Sequence, residues 1–134
     1  GETVGFGGRT LADDPERKLP KYLNTAETAI FQKRSLLFAL DRAAPEIRAS
    51  GAAVLVEGYF DAIACHGGGV ANAVACMGTA LTDEHAAALK RAGARSVTLM
   101  LDNDAAGDRA ADASNAVLLR ANLATRIVAR GTAA

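Results

Sequence analysis

Four acidic residues follow the ends of two short apolar runs in the sequence. Glu57 comes directly after one run, and Asp61 lies a helical turn further on. Asp102 and Asp104 come after the other run. Carboxylates held ~4 Å apart repel one another by a few kcal/mol at an effective dielectric constant of about 20, and a divalent cation between them replaces the repulsion with attraction. This arrangement of acids therefore predicts a site for Mg²⁺ or Mn²⁺, with Glu57, Asp102 and Asp104 as its ligands.

Acidic residues are also common where strands run into loops and in the first turn of helices, where the helix dipole favours negative charge. For Asp61 and Asp108 this purely structural interpretation stays open. The neighbouring glycines favour the metal site for the other acids. Gly58 lets the backbone turn tightly beside Glu57, and Gly107 closes a short loop that carries no bulky side chain.

The alternation of short apolar runs with helical stretches predicts the elements that position these acids. Strands separated by helices of about ten residues imply right-handed βαβ crossovers, and so an α/β fold with a four-stranded parallel sheet covered by helices on both faces. One helix carries clear boundary signals, with Thr82 as N-cap, His85 at the usual Glu position and Gly93 as the stop. We expect strands over residues 53–56, 71–76, 96–101 and 125–129, and helices over residues 59–66, 82–92 and 108–122.

A doubly wound sheet places its ligand site beyond the carboxyl ends of the strands, at the point where the strand order reverses. In the flavodoxin-like order 2-1-3-4, that point lies between the first and third strands. Glu57 follows the first strand and Asp102 follows the third. The predicted topology therefore brings the candidate metal ligands to one edge of the sheet.

The chain divides near Gly51, where composition and pattern both change. A Gly-rich and then charged stretch over residues 1–28 precedes a helical pattern over residues 30–50, in which we expect Pro45 to break or restart the helix. Residues 1–11 predict a strand pair, or a strand and a turn. We therefore expect a small α+β segment over residues 1–50, followed by an α/β domain over residues 51–134.

Composition excludes several classes of protein. Fifteen basic residues balance fifteen acidic ones, so the overall charge gives no evidence for a nucleic-acid partner. Cys65 and Cys76 form no CxxC pair, which argues against a structural zinc site or a disulfide framework and fits small core residues in a reducing cytosol. We expect His66 and His85 to be surface or hydrogen-bonded residues rather than metal ligands. No apolar run reaches the roughly 18 residues that cross a bilayer, so we expect no membrane segment. The N-terminus lacks the successive basic, apolar and small-residue regions of a signal peptide, so we do not expect export.

The acidic motifs together resemble a known family signature. The runs EGYFD at residues 57–61 and DNDAAG at residues 102–107 are similar to the Toprim signature in the form found in bacterial DnaG-type DNA primases. The resemblance covers nearly the whole chain, and it implies a Rossmann-like Toprim domain preceded by the end of the primase N-terminal core subdomain. The further matching runs are GFGGR at residues 5–9, PKYLNT at residues 20–25, NAVA at residues 72–75 and GTALT at residues 78–82.

The resemblance implies template-directed synthesis of RNA primers from ribonucleoside triphosphates on single-stranded DNA, with two divalent ions, Mg²⁺ or Mn²⁺, at the reacting groups. By the same resemblance, Asp102 and Asp104 hold metal. Glu57 is a further ligand or the acid and base nearest the reacting oxygens, and Asp61 is a supporting acid. A basic ridge that tracks the template would comprise Arg9, Lys21, Tyr22, Asn24 and Lys33.

The sequence also departs from the family pattern. It shows no zinc-binding cluster and no helicase-docking segment, and Arg126 and the residues after it stand where the family has a further acidic motif. We therefore expect an excised piece of a primase core that is weakly active or inactive alone. In the whole protein, the resemblance implies a cytoplasmic site of action at the replication fork and the replicative helicase as partner.

Two other classes of function remain open at this point. A Toprim nuclease or topoisomerase-type module uses the same acids with metal on phosphodiester bonds, although topoisomerases usually carry a longer acidic run after the third strand and a Tyr nucleophile from another domain. The second class is not an enzyme: it is a small module that binds nucleic acid or nucleotide through one metal ion.

Overall fold

The sheet topology of the chain follows the predicted order. A computed structural model describes residues 1–11 and 20–128. Its larger sheet has four parallel strands, β3 (Ala52–Val56), β4 (Ala73–Ala75), β5 (Ser96–Met100) and β6 (Ala124–Ile127), in the order β4-β3-β5-β6. A smaller sheet pairs β1 (Gly7–Arg9) with β2 (Tyr22–Asn24) in the antiparallel sense. The helices are α1 (Leu40–Ser50), α2 (Tyr59–Gly67), α3 (Asp83–Arg91) and α4 (Ala105–Arg120).

Helices cover both faces of the larger sheet, as predicted, but unequally. Alternate residues of β3 and β5, among them Leu55 and Leu99, pack with Ile47, Leu89 and Leu118 of α1, α3 and α4 in the main core. The opposite face carries a smaller cluster in which α2 lies against β3 and β4. Burial of both faces explains why these strands are apolar runs rather than alternating ones.

The helix predicted over residues 30–50 is wrong for its first half. Residues before α1 instead form turns, in which the Thr28 Oγ1 accepts a hydrogen bond of 3.0 Å from the Phe31 N–H. Phe38 then extends and pairs with the edge of β4, its N–H donating to the Ala75 carbonyl at 2.8 Å. Phe31 and Leu37 are nearly fully buried. Their spacing therefore reflects packing against the sheet, which overrides the local helical pattern.

The break predicted at Pro45 is also wrong, because α1 continues through this residue. Proline cannot donate the hydrogen bond that would reach the Asp41 carbonyl. Both residues are exposed, so solvent can satisfy that carbonyl. The missing hydrogen bond lies close to the N-terminal end of α1, so most backbone hydrogen bonds of the helix remain.

The predicted strand within residues 1–11 is confirmed as β1, but its partner comes from outside that stretch, in the register Gly8↔Leu23 and Arg9↔Tyr22. The helix predicted from residue 108 begins three residues earlier, at Ala105. Residue 129, predicted as the last of the fourth strand, lies outside the described residues. None of the described helices is long and apolar enough to span a bilayer.

The N-terminus of α3 carries the predicted cap and connects it to the segment before α1. The Thr82 Oγ1 accepts from the His85 N–H at 3.1 Å, and the His85 Nδ1 accepts from the Thr82 N–H at 3.1 Å, which completes a capping box with His in place of Glu. The His85 Nε2 lies 2.8 Å from the Lys33 carbonyl oxygen. His85 is fully buried. The ring is therefore hydrogen-bonded at both nitrogens, as a neutral tautomer with its proton on Nε2.

This arrangement makes the stability of the fold depend on pH. Burial lowers the pKa of His85, so between about pH 6.5 and the lower folded-state pKa the unfolded chain binds more protons than the folded chain. The free energy of unfolding should therefore fall as the pH drops through this window, by up to about 1.4 kcal/mol per pH unit. Urea denaturation of the wild type and of His85→Gln, which keeps a capping side chain, at pH 7.5 to 5.5 measures the slope. An equal slope in both proteins would contradict the assignment.

Candidate metal centre and nucleic-acid interface

Glu57 and Asp102 meet at the carboxyl ends of neighbouring strands. β3 and β5 pair in register, Val56 opposite Met100, so the residues that follow them leave the sheet side by side. The Asp102 N–H donates a hydrogen bond of 2.9 Å to the Glu57 Oε1. The convergence of these two candidate ligands therefore depends on strand register and on a direct hydrogen bond.

The surroundings of Glu57 disfavour its ionised form. Partial desolvation of the Glu57 carboxyl raises its pKa, and the neighbouring carboxylates of Asp102 and Asp104 raise it further. The hydrogen bond from the Asp102 N–H acts in the opposite direction. A positive charge placed beside these carboxylates would favour the ionised form. The site thus has the electrostatic character of a cation site.

Asp61 joins this pair at the wall of one cavity. The cavity has a volume of about 310 Å³ and is lined by Glu57, Asp61 and Asp102 on the side of the larger sheet. Lys21, Tyr22 and Asn24 of the β2 segment line it as well. Three of the four candidate acids and three of the five candidate nucleic-acid residues therefore share a single cavity.

Asp104 has a different environment from the other acids. It is the N-cap of α4, and its Oδ1 accepts a hydrogen bond of 2.7 Å from the Gly107 N–H. It does not line the cavity, although its charge raises the pKa of Glu57. One oxygen of Asp104 is thus engaged in capping the helix, and the second remains available to a ligand at the rim of the site.

The donor set suits a hard divalent cation. Within residues 1–11 and 20–128, no group of three or more His, Cys, Asp or Glu side chains is already arranged around a metal position. The carboxyl groups of Glu57 and Asp102 nevertheless interact with each other, and both residues line a cavity that can hold further oxygen ligands. Carboxylates with completing waters or phosphates are the usual environment of Mg²⁺. The residues present therefore fit Mg²⁺ or Mn²⁺, with Glu57 and Asp102 as the central pair.

The remaining nucleic-acid candidates lie apart from the cavity. Arg9 is on β1 and lines a second cavity of about 170 Å³, between β1 and α2. Lys33 lies in the turns before α1, where its N–H donates to the Glu27 Oε1 at 3.2 Å. Lys33 lines neither of these two cavities. The structure brings Lys21, Tyr22 and Asn24 to the acids. Arg9 pairs with Tyr22 across the smaller sheet without lining the acidic cavity, and Lys33 does not line it either.

The cysteines and histidines behave largely as structural residues. Cys76 is buried, and burial raises the pKa of its thiol to about 11, so it stays protonated at neutral pH. Cys65 is half-buried beside the smaller core cluster, and both cysteines are free thiols. The His66 Nε2 lies 2.9 Å from the Ala73 carbonyl oxygen. Both histidines are thus hydrogen-bonded, as predicted.

Sequence reasoning gave no role to Tyr59, and it placed Gly107 in a loop, whereas Gly107 lies in the first turn of α4. Tyr59 begins α2 and lines both cavities. Gly107 packs directly on the Asp102 backbone, where an added Cβ would lie 1.8 Å from the carbonyl oxygen. Both belong to the motifs quoted above, so their presence was visible, whereas their contacts depend on distant parts of the chain.

Comparison with known families agrees with this architecture. A Toprim-like family model matches residues 54–132, and a model of the DNA primase catalytic core, N-terminal domain, matches residues 1–44. A DNA primase from Deinococcus radiodurans is 52% identical over 110 residues, which cover 82% of this chain and 19% of that protein. The chain thus spans about a fifth of the length of this relative.

Solved structures give the same result. The Aquifex aeolicus primase, with its zinc-binding and RNA polymerase domains, matches at a TM-score of 0.91 and 36% identity, over 100% of this chain and 32% of that one. A DnaG primase catalytic domain solved bound to ssDNA matches at a TM-score of 0.83 and 34% identity, over 100% of this chain and 43% of that one. The chain belongs to the bacterial DnaG-type DNA primase family, with a Toprim-like fold in its larger part.

Proposed function

We propose that the chain is part of a catalytic core that synthesises short RNA primers from ribonucleoside triphosphates on single-stranded DNA during replication. The observation that supports this most strongly is the shared cavity, in which Glu57 and Asp102 stand opposite Lys21 and Asn24. A nucleoside triphosphate needs metal-binding acids and a cationic or hydrogen-bonding wall, and this cavity offers both. Membership of the primase family supplies the reaction type.

Each acid has a proposed role. Glu57, Asp102 and Asp104 would hold Mg²⁺ or Mn²⁺, which when bound neutralises phosphate charge and lowers the pKa of the primer 3′ hydroxyl. Glu57 would act either as a further metal ligand or as the acid and base nearest the reacting oxygens. Asp61 lines the same cavity and would act as a supporting acid.

The proposed partners are the single-stranded DNA template, the nucleotides and the growing RNA primer. We assign template contacts to Arg9, Lys21, Tyr22, Asn24 and Lys33, of which Tyr22 offers an aromatic face to a base. A family member solved bound to ssDNA supports single-stranded DNA as a partner. The protein would act at the cytoplasmic replication fork together with the replicative helicase.

We treat residues 1–50 and 51–134 as two segments of one core, although α1 of the first segment packs in the main core of the second.

The test uses a full-length protein, since the chain spans about a fifth of its relative. The matching segment of the Deinococcus radiodurans primase is replaced by this sequence, and the chimera is supplied with ribonucleotides, single-stranded DNA and Mn²⁺. We expect RNA primers, and a loss of at least about 100-fold in Glu57→Gln. Glu46→Gln removes an equal charge from the exposed face of α1 and should keep full activity. DNA cleavage without RNA products would favour the nuclease alternative and contradict the proposal.

A further inference from the structure

Tyr59 connects the acidic cavity to the smaller sheet. It is the first residue of α2 and stands between Glu57 and Asp61 in the sequence, with Gly58 as the N-cap in an extended conformation. The Tyr59 side chain reaches the smaller sheet, where it meets Gly7 of β1 and Asn24 of β2. It lines both the acidic cavity and the second cavity.

The Tyr59 ring is held tightly on three sides. The Phe38 ring lies against it at a centroid distance of 5.0 Å, and the Tyr22 ring meets it edge-on at 6.2 Å. Gly7 of β1 closes the third side, where an added Cβ would lie 2.5 Å from the Tyr59 ring. Only a residue without a side chain fits there, so β1 and the ring are in direct contact.

The Tyr59 hydroxyl extends this contact to β2. It donates a hydrogen bond to the Asn24 Oδ1, and the Asn24 Nδ2 in turn donates to the Met77 carbonyl at 3.3 Å. Partial burial raises the pKa of the Tyr59 hydroxyl, so it stays a donor across the physiological range. Asn24 is therefore fixed from two directions, by α2 and by the loop after β4.

We propose that Tyr59 is a positioning residue that sets where the Lys21–Asn24 segment lies relative to the acids. This inference rests on the proposed function, because it concerns the same cavity. β2 has only three residues, and Tyr22 and Leu23 are largely exposed. A short exposed strand needs an outside contact to keep one orientation. Tyr59 provides that contact from the element that immediately follows Glu57, so the acids and the template segment keep one geometry.

The test compares two kinds of binding in the chimera described above, which carries this sequence within a full-length primase. Tyr59→Phe keeps the ring and removes only the hydrogen bond to Asn24. We expect the affinity for an oligodeoxythymidine of about 16 nucleotides to fall about three- to tenfold. The affinity for Mn²⁺ should stay within about twofold, and the melting temperature within about 2 °C, since the lost hydrogen bond joins the hydroxyl to Asn24, which is not a candidate metal ligand. In the Asn24→Ala background, Tyr59→Phe should have no further effect on DNA affinity.

A second pair of variants tests the ring contact. Gly7→Ala pushes a methyl group into the Tyr59 ring, whereas Gly8→Ala points into open space, with the Leu23 carbonyl oxygen at 4.0 Å. We expect weaker DNA binding in Gly7→Ala and wild-type binding in Gly8→Ala. DNA affinity of the wild-type level in Tyr59→Phe, or a parallel loss of DNA and Mn²⁺ affinity, would overturn the positioning role alone. A chimera with the wild-type sequence that binds neither Mn²⁺ nor DNA would overturn the proposed function as well.

Discussion

Replacing Gly107 by Ala is expected to lower the free energy of unfolding by about 1–3 kcal/mol or more. Gly107 is buried in the first turn of α4, and an added Cβ would lie 1.8 Å from the Asp102 carbonyl oxygen and 2.8 Å from the Asp102 carbonyl carbon. These are backbone atoms, so no side-chain rotation relieves the overlap. Either α4 or the loop after β5 must move, and that loop carries Asp102 and Asp104, the second of which is the N-cap of α4.

The same substitution elsewhere provides a matched control. Gly67 also lies in a helix, and nothing lies within 4 Å of the Cβ that Ala would add there. Gly67→Ala should leave stability unchanged or raise it by up to about 1 kcal/mol, because Ala favours the helix. Urea denaturation of the three proteins gives the comparison. A Gly107→Ala protein as stable as Gly67→Ala would show that α4 does not pack on Asp102 in this way.

The topology of the larger sheet was predictable because its signals are local. Strands β3, β4 and β5 are short apolar runs, and α3 and α4 begin at capping side chains, those of Thr82 and Asp104. The order of the strands then places Glu57 and Asp102 together by a general rule for such sheets. The register of Val56 opposite Met100 confirms that the rule holds here.

The segment before α1 shows where local signals fail. The spacing of Phe31, Leu36, Leu37 and Leu40 satisfies a helix, yet Phe38 pairs with the edge of β4. That pairing joins residues far apart in the chain, and it supplies backbone hydrogen bonds that a helix would otherwise provide. Local periodicity carries no information about such a partner, so the sequence alone could not distinguish the two outcomes.

The sequence predicted which residues belong to the candidate site more completely than it predicted how those residues are arranged. The sequence analysis started this helix at residue 108, so it missed that Asp104 is the N-cap of α4, although Asp is a favoured N-cap residue. The contact of Tyr59 with Asn24 was not predictable, because it joins two segments through tertiary packing. The separation of Arg9 and Lys33 from the acidic cavity likewise depends on where β1 and the turns before α1 lie.

The second large effect is expected on metal binding. Asp102→Asn and Glu57→Gln should each weaken Mn²⁺ affinity at least about tenfold, since each removes one of two adjacent anionic oxygen donors. The fold should remain intact. Because the folded state raises the pKa of Glu57, its ionised form costs stability at neutral pH. Glu57→Gln should therefore raise the free energy of unfolding slightly, by no more than about 0.5 kcal/mol.

The measurement that tests the central claim most directly is a Mn²⁺ titration of the 134-residue chain, followed by electron paramagnetic resonance of the free ion. The account predicts saturable binding that weakens in Glu57→Gln and in Asp102→Asn. Asp108→Asn, which removes an exposed carboxylate from the first turn of α4, should keep wild-type affinity. Equal Mn²⁺ affinity in all four proteins would contradict a metal centre formed by Glu57 and Asp102.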